Sequence, residues 1–240
     1  MCAVGYCFLK KPISEERTKK NMIKKKYKIL DLYACLGGNR YKWDEVVDNL
    51  EVTAVELDPE LARMYQERFP SDIVIVADAH QYLLDHYKEF DFIWSSPPCP
   101  THSKARFARH ETTKSEYPDM KLYQEIIFLQ NYFKGKFVVE NVVPFYEPLV
   151  PGIKRGRHLY WTNFNLPNKL TDRKCAFMES KNEVSKWNEF HEINVNDYKG
   201  TQRKDKIARN LVDYEAGKTI LETVFGIQRQ QNINQINMFP

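Results

Sequence analysis

An α/β fold built on a doubly wound, mostly parallel sheet is predicted by three features. First, Lys28 to Ala34 alternates into an apolar strand and runs into a glycine-bearing turn, Cys35-Leu36-Gly37-Gly38-Asn39. Helical spacing follows over Tyr41 to Leu50, carried by Trp43, Val46, Val47 and Leu50. Strand, glycine turn and helix open a nucleotide-binding sheet, because glycine lets backbone approach a ligand closely; an ordinary strand-to-helix turn has the same outline. Second, strand-like and helix-like stretches alternate from there to residue 95, which puts crossovers on both faces of a parallel sheet. Third, the apolar run Phe92 to Trp94 breaks into Ser95-Ser96-Pro97-Pro98, and Cys99 follows. Two prolines cannot continue a ladder, so a buried strand stops there with a thiol on a stiff turn, at the sheet end where ligands bind. Cys99 is then either a nucleophile or a small core hydrophobe.

Composition sets the bounds. With 240 residues, 42% hydrophobic and 28% charged, the chain is long enough for one sizeable core and reads as globular. The net charge of +4 is compatible with a nucleic-acid partner, and its uneven spread is more telling. Lys10 to Lys28 holds nine Lys/Arg against two acids. Residues 1–26 are expected to be a basic extension, either a partly disordered arm or a nucleic-acid arm. Five scattered cysteines without metal spacing suggest reduced thiols in a cytoplasmic or otherwise intracellular setting. No apolar run approaches the ~20 residues of a membrane span.

Val52 to Val55 is the second strand and ends in Glu56-Leu57-Asp58-Pro59. Asp58 suits an N-cap and Pro59 the first helical position. Glu56, at a strand end 25 residues after Asp31, suits a ribose diol because a carboxylate accepts two hydrogen bonds; otherwise it is merely exposed. Asp72 to Ala77 is the third strand, with Asp78 at its end, and Tyr82 to Tyr87 is a short helix. Residues 100–118 form a long basic loop (Lys104, Arg106, Arg109, Lys114), read as a lid over a phosphate backbone or as a solvated surface loop. Met120 to Phe133 is the strongest helix. Lys136 to Val139 is a buried strand ending in Glu140-Asn141-Val142. Arg155 and Arg157, spaced i, i+2 at the start of a strand, are expected to face one anionic or carbonyl-rich ligand together, or else to mark a charged edge. Residues 163–206 are polar and expected to be irregular. Tyr214 to Val224 is a helix, and 227–240 reads as a loose tail.

Taken in order, these blocks resemble the C5-cytosine DNA methyltransferases. Asp31-Leu32-Tyr33-Ala34-Cys35-Leu36-Gly37-Gly38 is similar to that family's first motif, with Cys35 where a glycine is usual. Glu56 matches the second motif. Pro97-Pro98-Cys99, with Ser103 four residues on, matches the Pro-Cys motif, and Phe137 to Val142 matches the Glu-Asn-Val motif. Arg155 and Arg157 match the Arg-x-Arg motif, with Ile153 where Gln is usual. Asn210 and Val212 match the last motif.

The resemblance implies a Rossmann-like sheet that binds S-adenosylmethionine. Asp31, Tyr33, Cys35, Gly37 and Gly38 would come from its first turn. Glu56, Leu57 and Asp78 would come from the next two strand ends, joined by Pro98, Asn210 and Val212. Cys99 would attack C6 of cytosine, with neighbouring Arg and the basic loop favouring its thiolate. Glu140 would donate to N3, Arg157 would contact O2, and Arg155 would steady a loop or Glu140. The cytosine must leave the stack of double-stranded DNA to be reached. Lys104, Arg106 and Arg109 would hold phosphates. His102, where Phe is usual, would be a stacking or phosphate contact, or a loop His outside the chemistry. Residues 163–206 would be a target recognition insert, short enough that a second subunit of a homodimer could complete it, and 207–226 a helix returning to the catalytic domain. The brevity is similar to compact members from phage and mobile elements, some paired with a restriction enzyme. An RNA methyltransferase and a catalytically idle nucleic-acid-binding regulator of the same fold are the rival readings.

Overall fold

In the computed structural model, which describes residues 26–108, 114, 116–172 and 182–227, one seven-stranded sheet organises the chain. Strands β1 (Tyr27–Leu32), β2 (Leu50–Glu56), β3 (Ile73–Val76), β4 (Phe92–Ser95) and β5 (Lys136–Val142) run parallel. β6 (Ile153–Arg155) and β7 (His158–Thr162) close one side as an antiparallel pair, with β7 against β5. The order β3-β2-β1-β4-β5-β7-β6 reverses direction between β1 and β4. The crevice at the C-terminal ends of those two strands is where a doubly wound sheet takes its ligand.

Both sheet faces are apolar, and the period of two sorts the side chains. Leu30 and Leu32 of β1, Ile93 of β4 and Phe137 and Val139 of β5 pack on one face. They are covered by α2 (Ala79–His86) through Leu83 and by α4 (Lys121–Tyr132) through Leu122, Ile126 and Leu129. Ile29, Phe92, Trp94 and Val138, the residues between, pack on the other face against Trp43 and α7 (Tyr214–Val224). Burying an aliphatic or aromatic side chain contributes about 1.5–3 kcal/mol, so this double layer is the main stabilising term.

Three sequence expectations are corrected. Tyr41 to Leu50 is not a helix: Lys42 is left-handed (φ 69°), a single 3₁₀ turn spans Trp43–Glu45, and Leu50 already begins β2. The covering helix comes instead from the far end of the chain. Ala216, Ile220 and Leu221 of α7 fill that face, and Gly217 lets α7 press on Asn39, where a Cβ would lie 2.2 Å from the carbonyl oxygen. Second, α2 begins at Ala79, because the Asp78 side chain accepts from Gln81 N at 2.9 Å and caps it. Third, residues 163–206 are not simply irregular. They include α5 (Glu183–His191), whose Trp187 joins Val195 and Tyr198 in a small core with Cys35, Leu36 and Leu61. Arg68, at the end of α1 (Pro59–Arg68), donates to Leu36 O at 2.8 Å and His191 O at 2.6 Å and ties that core to the first turn. The basic extension and the tail, apart from their innermost residues, lie outside the described residues, as does Arg109. Among the described residues no helix is long and apolar enough to cross a membrane.

Candidate active site

A cleft of about 1710 Å³ opens at the crevice between β1 and β4 and extends along the ends of β2, β3 and β5. Cys99, Ser103, Lys104, Glu140 and Arg157 line it on one side. Tyr33, Cys35, Glu56, Leu57 and Asp78 line it from the ends of β1, β2 and β3, and Pro98, Asn210 and Val212 border it as well.

The thiol side is built by β4 and β5. Ser96 N still donates to Leu32 O at 3.4 Å, the prolines then end the pairing, and two side chains hold the turn: Trp94 Nε1 donates to Ser96 Oγ at 2.8 Å, and Asn141 Nδ2 donates to Pro97 O at 2.9 Å. The Cys99 carbonyl accepts from His102 N (3.0 Å) and Ser103 N (3.1 Å), which coils the chain into α3 (Lys104–Phe107). β5 continues through Glu140 to Val142, so Glu140 is a buried strand residue paired with Tyr160 of β7, its Oε1 3.5 Å from His158 Nε2.

The charge balance at Cys99 differs from the expectation that its neighbours favour the thiolate. Burial pushes the thiol pKa up, the Glu140 carboxylate adds to this, and Arg157 and Lys206 only partly oppose them. Lys206, in α6 (Lys204–Asn210), was not singled out by sequence, because no local pattern links it to residue 99.

The arginine pair is also corrected. Arg155 closes β6, whereas Arg157 follows Gly156 (φ 57°) in the turn before β7, so the two do not project from one strand. The Arg155 guanidinium donates to Pro167 O at 2.7 Å and Leu166 O at 3.2 Å; it steadies that loop and does not line the cleft. His102 is 1% exposed, with Nδ1 2.5 Å from the Tyr146 hydroxyl. Burial pushes its pKa down, and the ring borders the cleft as a buried side chain, not as an exposed loop residue. Lys104 is exposed on the rim; the side chain of Arg106 lies outside the described residues.

The opposite side turns sharply. Tyr33 (φ 60°), Cys35 (φ 50°) and Gly37 (φ 66°) are left-handed, so Cys35 adopts the conformation that glycine adopts freely. Its N–H donates to Glu56 Oε2 at 2.9 Å, and Asp58 N donates to Glu56 Oε1 at 2.9 Å. The Leu57 N–H acts on the same carboxylate. Burial raises the Glu56 pKa against the pull of these N–H groups. Asp58 caps α1 through Oδ1, while its Oδ2 accepts from Tyr198 OH (2.6 Å) and Gln202 Nε2 (2.8 Å); sequence missed both partners. Asp31, Gly37 and Gly38 do not line the cleft. Asp31 is fully buried, its Oδ1 accepting from Asn39 Nδ2 at 2.7 Å. Gly38 lies under the last motif, where a Cβ would be 2.4 Å from Val212 O.

The strand-end carboxylate Glu56, the 68% exposed Leu57 beside it and the acids Asp58 and Asp78 form an acidic, partly apolar wall. That chemistry suits a ribose diol, a flat purine and a sulfonium cation. The family model of C-5 cytosine-specific DNA methylases matches residues 27–148.

The chain belongs to that family.

As a family member it is a methyltransferase that uses S-adenosylmethionine and acts on nucleic acid. No curated protein matches the chain. Among solved structures it is similar to the methyltransferase EhMeth of Entamoeba histolytica, at 10% identity and TM-score 0.50, over 85% of this chain and 99% of that one. That likeness supports the methyltransferase fold. Weaker matches are a Spodoptera frugiperda DNMT2 mutant (23% identity, TM-score 0.36, 48% of this chain and 35% of that one) and the putative methyltransferase yhhF of Escherichia coli (15%, 0.36, 57% and 75%).

Proposed function

We propose that the chain methylates C5 of cytosine in double-stranded DNA through a covalent adduct between Cys99 and C6 of an extruded base. The observation that carries this reading is that Cys99, Glu140 and Arg157 share one cleft with the strand-end acids Glu56 and Asp78. Bound S-adenosylmethionine supplies an electrophilic methyl group. The chain's own residues do the rest. The Cys99 thiol loses its proton to water, with Arg157 and Lys206 the cations that act on it. The thiolate adds to C6, the C5–C6 electron pair moves to C5, and C5 becomes nucleophilic. Glu140, in its protonated form, donates to N3 and Arg157 holds O2, which offsets the charge that builds on the ring; once C5 carries the methyl group, a water takes the C5 proton, the C5–C6 double bond re-forms and Cys99 leaves as thiolate. Glu56 holds the ribose of the cofactor. Lys104 and the basic loop after it take phosphate contacts. Residues 163–206 form the recognition element. Because 183–206 lie against the first turn and α1, that element is small and reads a short sequence or is completed by a second subunit.

The test uses DNA and RNA oligonucleotides carrying 5-fluorocytosine, incubated with protein and S-adenosylmethionine. Fluorine blocks the final elimination at C5, so a denaturation-resistant adduct forms on DNA and maps to Cys99, and Cys99→Ala forms none while still binding cofactor. An adduct on RNA alone would replace the DNA substrate by RNA. Cofactor binding without any adduct would leave a nucleic-acid-binding regulator.

A further inference from the structure

The face of α4 that covers the sheet is apolar except at one position. Leu122, Ile126 and Leu129 are buried there, and so, at 0% exposure, is Glu125. An ionised carboxylate costs several kcal/mol to bury, and a leucine would suit the same stripe. What distinguishes the site is its three partners, each from a different element: the first turn, β4 and α2. Tyr33 OH donates to Glu125 Oε1 at 2.5 Å, Ser95 Oγ donates to Oε2 at 2.6 Å, and His80 Nδ1 lies 3.0 Å from Oε1. Tyr33 is a left-handed residue of the first turn and lines the cleft. Ser95 is the last residue of β4, four before Cys99. His80 is in the first turn of α2, two residues after Asp78.

We propose that Glu125 is a positioning residue for methyl transfer, setting the spacing between the cofactor turn and the thiol-bearing turn by holding Tyr33, Ser95 and His80 on one buried carboxylate. It reaches neither the thiol nor the cleft itself; it acts through Tyr33 on one side and Ser95 on the other. Charge-assisted O–H···O⁻ bonds are about twice as strong as neutral ones and directional, so one side chain can hold two turns in register. Displacements near 1 Å at a reacting centre cost about 10²-fold in rate, which makes such register worth the burial of a charge.

The inference rests on the methyltransferase reading above, and the experiment separates the two. Glu125→Gln, Tyr33→Phe and Ser95→Ala are compared with wild type in the cofactor Kd by calorimetry, which needs no nucleic acid. The second readout is the single-turnover methylation rate per active site titrated with 5-fluorocytosine DNA. For Glu125→Gln the Kd is expected to rise about 10-fold and the per-site rate to fall roughly 10–100-fold. Tyr33→Phe should reproduce mainly the Kd change and Ser95→Ala mainly the rate change, each less than additive with Glu125→Gln. A merely structural glutamate would lower Tm and the titrated fraction while leaving Kd and per-site rate within about twofold of wild type, and that result overturns the proposal. If Glu125→Gln does not fold, the two single-hydroxyl deletions decide alone: both values unchanged in both variants overturn it. A wild type that binds cofactor but methylates nothing fails the proposed function, and the Kd arm still decides the role of Glu125.

Discussion

Asn141 of β5 reaches across to the turn after β4, where its Nδ2 donates to the carbonyl of Pro97 at 2.9 Å, while its Oδ1 accepts from Val142 N at 2.9 Å. The bond joins the strand that carries Glu140 to the turn that carries Cys99, and it is buried. Asn141→Ala leaves Pro97 O without this donor, a loss of about 1–3 kcal/mol. Thermal melting should therefore drop by roughly 3–8 °C, and methylation should slow by more than the unfolded fraction explains. An unchanged Tm and rate would show that the prolines alone hold the turn.

Ionisation of Cys99 is the second expected outcome. Its pKa lies above the ordinary thiol value through burial first and Glu140 second, so the thiolate fraction grows only as pH rises past that value. The alkylation rate with iodoacetamide against pH should show its inflection there. Glu140→Gln should move the inflection down, and Lys206→Met should move it up. A Glu140→Gln profile that overlays wild type would remove Glu140 from the balance at the thiol.

Gly38 is the third. A Cβ there would meet Val212 O at 2.4 Å and Val212 N at 2.8 Å, both backbone atoms of the returning segment, which cannot rotate away. Gly38→Ala should cost at least about 1–3 kcal/mol in urea unfolding and weaken cofactor binding as the 210–212 border shifts. A fully stable variant would mean that the two segments are looser than they stand here.

Asp31 gives a pH dependence of stability. Burial is the largest cause of its pKa of about 7, with the Asn39 hydrogen bond pulling the other way. A folded-state pKa above the unfolded value means that the protonated carboxyl stabilises the fold. That contribution is fully present below about pH 4 and is lost as pH rises through about 7, on the order of 4 kcal/mol in all. Asp31→Asn keeps an acceptor for Asn39 and removes the ionisation. Urea titrations at pH 5 and pH 8 should show the variant gaining on wild type at the higher pH; a constant difference would place the pKa of Asp31 in the ordinary carboxylate range.

Much of the molecule could be read locally. The apolar alternation of Leu30, Leu32, Ile93 and Val139, the Pro97-Pro98 stop and the Asp58-Pro59 helix start are each short-range consequences of pleat, ring and cap, so strands and turns fall close to their expected residues. Glu56 at a strand end and Cys99 after the prolines were legible for the same reason. Trp43, Val46 and Leu50 misled, because a helical apolar period states only that a face is to be covered. Whether a local helix or a distant one covers it depends on competing packing, and α7 wins through the close approach at Gly217. The burial of His102, the Tyr198 bond to Asp58 and the partners of Glu125 join residues from 30 to 140 positions apart. Chain periodicity carries no information about such contacts, nor about the surroundings that raise the Cys99 pKa, burial first and Glu140 second against Arg157 and Lys206, which are neighbours in space alone.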